Sequence, residues 1–251
     1  MQYHYRFTLF ITLALFLSIN GNATCDYSYS IFQNGHGQYC IPNRHQRPAT
    51  NKIRNQNVHE ASTLALIEQI YEPGTHVVHG GAYFGDMLPF FSKLVGNQKV
   101  WAFEPVKESH FCAQKTIELN ELENIHLYNL ALSSNTSQKT MMTKVGSTHL
   151  GGASKIVTAF NSKSNTYEVI NTVRLDTLLQ NIDGRIGLIH LDVEGHEIQA
   201  LKGSQEIIKI HRPIIILEVY KENINKMNRY MSTLDYRFFT RTDQNNAYYP
   251  L

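Results

Sequence analysis

Two short runs constrain this chain more than anything else in it: Ile186-Gly187-Leu188-Ile189-His190-Leu191 and Pro213-Ile214-Ile215-Ile216-Leu217-Glu218-Val219. Both are apolar almost without a break, which is the pattern of central parallel strands covered on both faces. Between them Ile198-Gln199-Ala200-Leu201 has helical spacing, Gly203 terminates that helix, and Ser204 is placed to cap the next. The same alternation holds upstream. Ala61, Leu64, Ile67 and Ile70 recur at helical intervals until Pro73-Gly74. Residues 75–79 then read as a strand, 85–95 as a helix, 100–103 as a strand, 107–120 as a helix and 125–132 as a strand. Residues 167–175 resume β character, and Asp176 is placed to cap a short helix through Gln180. Strands alternating with helices predict an α/β fold with a doubly wound, mostly parallel sheet and helices on both faces.

With 251 residues, 42% hydrophobic and 18% charged, the chain is globular and can bury one sizeable core. A net charge of +2 with no basic run argues against a nucleic-acid partner. Residues 133–164 break the alternation, being rich in Ser, Thr, Asn, Lys and Gly. Such an insertion is expected to be functional or mobile. Its stretch 144–154 has glycines suited to an acceptor lid, and a surface loop is the alternative.

The N-terminus stands apart. Arg6 precedes an apolar run from Phe7 to Leu17, and Gly21-Asn22-Ala23 places small residues at a cleavage site. These marks predict a secretory signal over residues 1–23, or a signal anchor if it stays uncleaved. The protein is therefore expected to be exported or membrane-anchored, touching a membrane only through that segment. Residues 24–54 read as a loop segment, with Cys25 and Cys40 paired in an oxidising compartment. Cys112 is then a leftover, a small buried hydrophobe on a helix. Asn135-Thr136-Ser137 is a glycosylation acceptor in a eukaryotic host. Residues 55–251 make up the folded domain.

Chemistry concentrates in three places. His190-Leu191-Asp192-Val193-Glu194-Gly195-His196-Glu197 crowds three carboxylates and two imidazoles at the end of a buried strand. Open α/β sheets bind ligands at that edge. His79-Gly80-Gly81-Ala82-Tyr83-Phe84-Gly85-Asp86 follows the first strand, and its glycines permit a ligand to approach the backbone. The spacing is neither that of a dinucleotide fingerprint nor that of a P-loop. Glu104 ends the next strand, nineteen residues after Gly85, where an acid can accept the hydroxyls of a ribose. Glycine turn and acid together predict a nucleoside pocket.

These residues resemble the FkbM-type methyltransferases over about residues 55–240. The likeness rests on the stretch from Val77 to Asp86, on Ala102-Phe103-Glu104-Pro105 and on Asn129-Leu130-Ala131-Leu132. It continues through Leu191-Asp192-Val193-Glu194-Gly195-His196-Glu197, Leu201-Lys202-Gly203 and Arg212-Pro213. The resemblance implies a seven-stranded class I methyltransferase fold, S-adenosylmethionine as cofactor, and O-methylation of a sugar or other small hydroxylated acceptor. It implies that Gly81, Ala82 and Gly85 line the methionine end of the cofactor, and Asp86 is a further cofactor-binding candidate. Glu104 would hold the ribose and Ala131 would lie near the adenine, with Asp192 and Glu194 facing the donor methyl or the acceptor. One departure stands out: His79 occupies the strand end where the family usually has an acid, and it is expected either to bind the amino-acid end of the cofactor, directly or through water, or to weaken its binding.

Methyl transfer from a sulfonium asks mainly for alignment, plus a base near the acceptor hydroxyl. Asp192, Glu194 and His196 are the candidates, with His196 best matched in pKa by residue type. A metal site of the form Asp-x-Glu-x-His lacks a partner motif, so no metal is assigned. Two other functions fit parts of the pattern: an exported, non-catalytic binding module on the same fold, and an NAD(P) oxidoreductase, against which the glycine spacing argues.

Overall fold

The computed structural model describes residues 27–159 and 163–251. The expected signal segment 1–23 and Cys25 lie outside the described residues. Among the described residues no helix is long and apolar enough to cross a membrane.

The chain begins with a hairpin, β1 (Tyr29–Asn34) and β2 (Gly37–Pro42), then α1 (Pro48–Arg54) and α2 (Ala61–Ile70). The Rossmann-like core follows: β3 (His76–Gly80), α3 (Leu88–Val95), β4 (Val100–Phe103), α4 (Lys107–Leu119) and β5 (Ile125–Tyr128). A second small sheet interrupts it with β6 (Ala131–Leu132), β7 (Ser137–Val145), β8 (Thr148–His149), β9 (Lys155–Val157) and β10 (Thr166–Val173). The core resumes with α5 (Leu175–Leu178), β11 (Ile186–Leu191), α6 (Glu197–Lys202), α7 (Gln205–His211) and β12 (Ile214–Glu218). It closes with α8 (Ile224–Ser232), β13 (Tyr236–Thr242) and β14 (Asn245–Pro250).

The central sheet has seven strands in the order β13-β14-β12-β11-β3-β4-β5. β12, β11, β3, β4 and β5 are parallel, and β14 and β13 add an antiparallel edge. Side-chain alternation explains the unbroken apolar runs. Val78, Ile189 and Ile215 face one hydrophobic cluster with Leu201, Ile207 and Met231 of the covering helices. Their neighbours Val77, Leu188 and Ile216 face the other, with Leu64, Ile67 and Phe91. Each such buried side chain contributes about 1.5–3 kcal/mol.

Several boundaries and two whole segments differ from expectation. Residues 27–54 are a hairpin and a helix, with Tyr39, Cys40 and Ile41 fully buried against Phe84 and Cys112. Polar composition hid this, because only one strand of the hairpin is buried. The run 125–132 is two strands: the Asn129 side chain donates to the Glu104 and Pro105 carbonyls, each at 2.9 Å, and the chain turns there into the second sheet. The described residues between 133 and 159 hold three strands, β7, β8 and β9, with β7 paired antiparallel to β10. Only Met141 and Met142 of β7 are buried, so no alternation announces it.

Helix α3 starts at Leu88, after the glycine turn. Asp176 lies inside α5 and accepts from the Arg174 guanidinium and the Ile207 amide. Ser204 directs its hydroxyl back to the Ala200 carbonyl and makes no side-chain cap. Cys112 is not a solitary apolar residue, since its Sγ lies 2.9 Å from that of Cys40, both free and buried.

Candidate active site

The carboxyl ends of β3, β4, β11 and β12 meet in one cleft. Gly81 has φ of +88°, and a Cβ there would overlap the Asp192 carbonyl oxygen. Only glycine permits that approach. It locks the tip of β3 to the tip of β11, where the Asp192 amide donates to the Gly80 carbonyl at 3.0 Å.

The other residues of this turn behave differently from expectation. The amides of Gly81 and Ala82 both donate to the Phe103 carbonyl, and that of Gly85 to Ala82, so none points at a ligand. Ala82 is fully buried in a cluster with Ala102 and Ala113. Gly85 packs on Leu88 and Thr116. Neither lines the cleft. Gly81 and Asp86 do.

Glu104 sits at the tip of β4, 6% exposed, accepting from the Tyr83 amide at 2.9 Å and the Val106 amide at 2.8 Å. Burial nevertheless pushes its pKa up to about 8. Each carboxylate oxygen keeps a second lone pair for a ligand hydroxyl. The cleft has two lobes that share Gly81, Glu104, Gly152, Asp192 and Glu194. One is apolar, walled by Phe103, Val106, Leu130, Ala131, Met141 and Ile156. The other carries six carboxylates, those of Glu60, Asp86, Glu104, Asp192, Glu194 and Glu218, and one guanidinium, that of Arg47. The turn 151–153 of the insertion lines both lobes, where a lid is expected to lie.

In the acidic block after β11, Glu194 and Gly195 take positive φ of 55° and 89°, so the chain turns and residues 192, 194 and 196 do not share one side. Asp192 and Glu194 border both lobes. His196 turns to the apolar lobe, with its Nε2 3.0 Å from the Ser133 hydroxyl. Burial, aided by Lys139, pulls its pKa down to about 4, which corrects the expectation that it is the best-matched base. Asp192 moves the other way: burial and the neighbouring carboxylates of Glu218 and Glu194 hold its pKa well above the usual carboxylate range.

His79, at the end of β3, pairs through Nδ1 with His190 Nδ1 at 3.0 Å, and its Nε2 is buried without a partner. Burial and its neighbour hold His79 well below the usual imidazole range, and burial takes His190 to about 4. Both rings are therefore neutral at pH 7.

Four residues in or beside the cleft escaped the sequence reading. Glu218 is hidden inside an apolar run, yet it ends β12 beside Asp192, and burial and the Glu194 charge push its pKa up to about 7. Its one signal is an acid at the carboxyl end of a parallel strand. Tyr220, two residues later, donates its hydroxyl to Glu194. Arg47 arrives from the N-terminal segment, and Glu60 from the turn before α2. One carboxylate oxygen each from Asp192, Glu194 and Glu218 lie within 4.8 Å of one another. Outside the cleft, His45, Glu108 and His149 form another such group, with His45 Nε2 3.3 Å from Glu108.

A family model for the methyltransferase FkbM domain matches residues 79–238. No curated protein matches the sequence. Among solved structures, the chain is similar to a methyltransferase FkbM from Methylobacillus flagellatus, at 18% identity and a TM-score of 0.50, over 82% of this chain and 56% of that one. The chain thus spans little more than half the length of that relative. It is also similar to TYW2 of M. jannaschii in complex with AdoMet, at 9% identity and TM-score 0.48, over 90% and 88% of the two chains. A third likeness is to an rRNA methylase from Streptococcus thermophilus, at 12% identity and TM-score 0.46, over 76% and 95%.

Proposed function

The chain belongs to the FkbM methyltransferase family, and from that membership we propose that it transfers the methyl group of S-adenosylmethionine to a hydroxyl of a sugar or similar small acceptor. One observation carries the reading: an apolar lobe and an acid-rich lobe meet at Glu104, on the strand edge where class I methyltransferases work. The residues present suit the cofactor. Ala131 and Phe103 offer walls for an adenine, and Glu104 has free lone pairs for the ribose hydroxyls. The carboxylates beyond Gly81 suit a group that bears an ammonium and a sulfonium. When bound, the cofactor supplies an activated methyl.

The protein's part is to orient the acceptor, exclude water and hold a proton. Asp192, Glu194 and Glu218 form the proton-holding set, and a carboxylate titrating at about 7, as Glu218 does, is poised to take the acceptor proton. His196, held at about 4 and facing the apolar lobe, has no such part. We further propose that the acceptor lies on the exported side of a membrane, from the apolar N-terminal run and its small-residue end.

Calorimetry with S-adenosylhomocysteine tests the cofactor reading. Binding that Glu104→Ala weakens at least about tenfold, a cost of ~1.4 kcal/mol, is expected. No binding at millimolar concentration refutes the methyltransferase reading. Binding without methyl transfer to any of a broad panel of hydroxylated acceptors refutes the catalytic part and leaves a binding module.

A further inference from the structure

The acid-rich lobe contains more negative charge than a nucleoside needs. Asp192 follows directly on β11, Glu218 ends the adjacent β12, and Glu194 lies on the turn after β11, so three carboxylates converge at the ends of two neighbouring parallel strands. Asp192 Oδ1 and Glu218 Oε2 are buried and accept no hydrogen bond from outside the cluster, and Glu218 is only 8% exposed. Among the described residues no ion pair engages any of the three. Buried carboxylate oxygens in this state are costly unless a proton or a cation joins them.

We propose that Asp192, Glu194 and Glu218 bind a divalent cation of the magnesium, manganese or calcium class, and that the acceptor hydroxyl approaches the same ion. Three features favour an ion over a shared proton. The converging oxygens lie within 4.8 Å of one another, the span of oxygens that share one ion at about 2.0–2.6 Å. The donor set is all oxygen, which suits hard cations and not zinc or copper. Asp192 and Glu218 each have a buried oxygen that no group outside the cluster satisfies, and the Tyr220 hydroxyl fixes the third carboxylate in place. An ion here lowers the pKa of a bound hydroxyl. The site's part in methyl transfer rests on the methyltransferase reading; cation binding itself does not.

Manganese(II) is the probe, followed by the loss of its free-ion electron paramagnetic resonance signal when the purified full chain is added. One ion per chain is expected, displaced by excess magnesium. Asp192→Asn and Glu218→Gln are each expected to weaken it at least about tenfold, the low end for disrupted metal shells. Glu218→Gln removes a repelling charge, and an unchanged circular dichroism spectrum shows that it still folds. Absence of binding up to about 10 mM, beyond even the weak sites of extracellular modules, overturns the proposal. Binding that both variants leave unchanged also overturns it. S-adenosylhomocysteine binding, measured on the same sample with chelator present, separates the two readings. Cofactor binding without manganese binding sinks the cation site alone, and manganese binding without cofactor binding sinks the methyltransferase reading alone.

Discussion

Glu104 makes stability and cofactor binding depend on pH in a way that Glu104→Gln isolates. The carboxyl titrates at about 8 in the fold against 4.5 ordinarily, because burial disfavours its charged form. Folding therefore favours the neutral acid. The stability this contributes is complete below about pH 4.5 and is lost as pH rises through about 8. Between pH 6.5 and 8 the loss from this one group is about 1.5 kcal/mol. For a domain of this size that is about 3–6 °C in Tm. His190 and His196, held at about 4, are neutral in the fold throughout this window, and His59, raised by its Asp86 contact against the opposing effect of burial, is common to both proteins. The difference in slope between wild type and Glu104→Gln thus reports Glu104 alone. Differential scanning fluorimetry of the cofactor-free protein from pH 6.5 to 8 is expected to show a fall in wild type that shrinks by several degrees in the variant. Ribose hydroxyls favour the ionised carboxylate, so S-adenosylhomocysteine binding at pH 7 is expected to release close to one proton in buffer-dependent calorimetry. Equal slopes in the two proteins refute the reasoning.

With any acceptor that supports turnover, Glu218→Gln is expected to lower kcat by about 10²–10⁴, the range of general-base contributions. His196→Gln should cost less than tenfold, and a larger loss from His196→Gln than from Glu218→Gln refutes the assignment. Exposed to oxidised glutathione, Cys40 and Cys112 are expected to give two protons and two electrons to the glutathione disulfide and close a bond across 72 positions. In the chain-entropy view this adds about 4 kcal/mol, and peptide mapping that finds Cys40 joined to Cys25 instead refutes it.

The parallel sheet is legible because its strands have to be apolar on both faces. β4 and β11 fall on the residues the apolar runs mark, with no shift at either end. Gly81 and Glu104 are legible for a related reason, since a glycine or acid at a buried strand's end has few structural uses, whereas only the family resemblance points to Ala131. Ala82 and Gly85 mislead because small residues serve close packing as readily as ligand approach. Glu218 is invisible because one acid at the end of Ile-Ile-Ile-Leu becomes meaningful only when β12 is known to lie beside β11. His196 misleads because residue type sets only its intrinsic pKa, whereas burial sets the one it has. The second sheet is illegible because its strands are half-exposed and obey no single period.

The N-terminal segment raises the last question, since the matched family region begins only at residue 79 and the sequence reading sets the domain boundary at 55. In the structure the boundary cuts through the core. Tyr39, Cys40, Ile41 and Ile53 are at most 1% exposed and pack with Phe84 and Cys112. His45 Nδ1 lies 2.9 Å from the hydroxyl of Tyr83, whose amide in turn holds Glu104. Arg47 is the one guanidinium among the residues lining the acid-rich lobe. Losing four such side chains removes about 6–12 kcal/mol of burial, comparable with the whole 5–15 kcal/mol stability of a typical domain. A chain beginning at residue 55 is therefore expected to aggregate or to lack a cooperative melt, whereas one beginning at residue 27 keeps both fold and cofactor affinity. Should the shorter chain melt cooperatively within about 2 °C of the longer one, a difference of under ~1 kcal/mol, and bind S-adenosylhomocysteine as tightly, the hairpin is an appendage. The cleft would then be complete without Arg47.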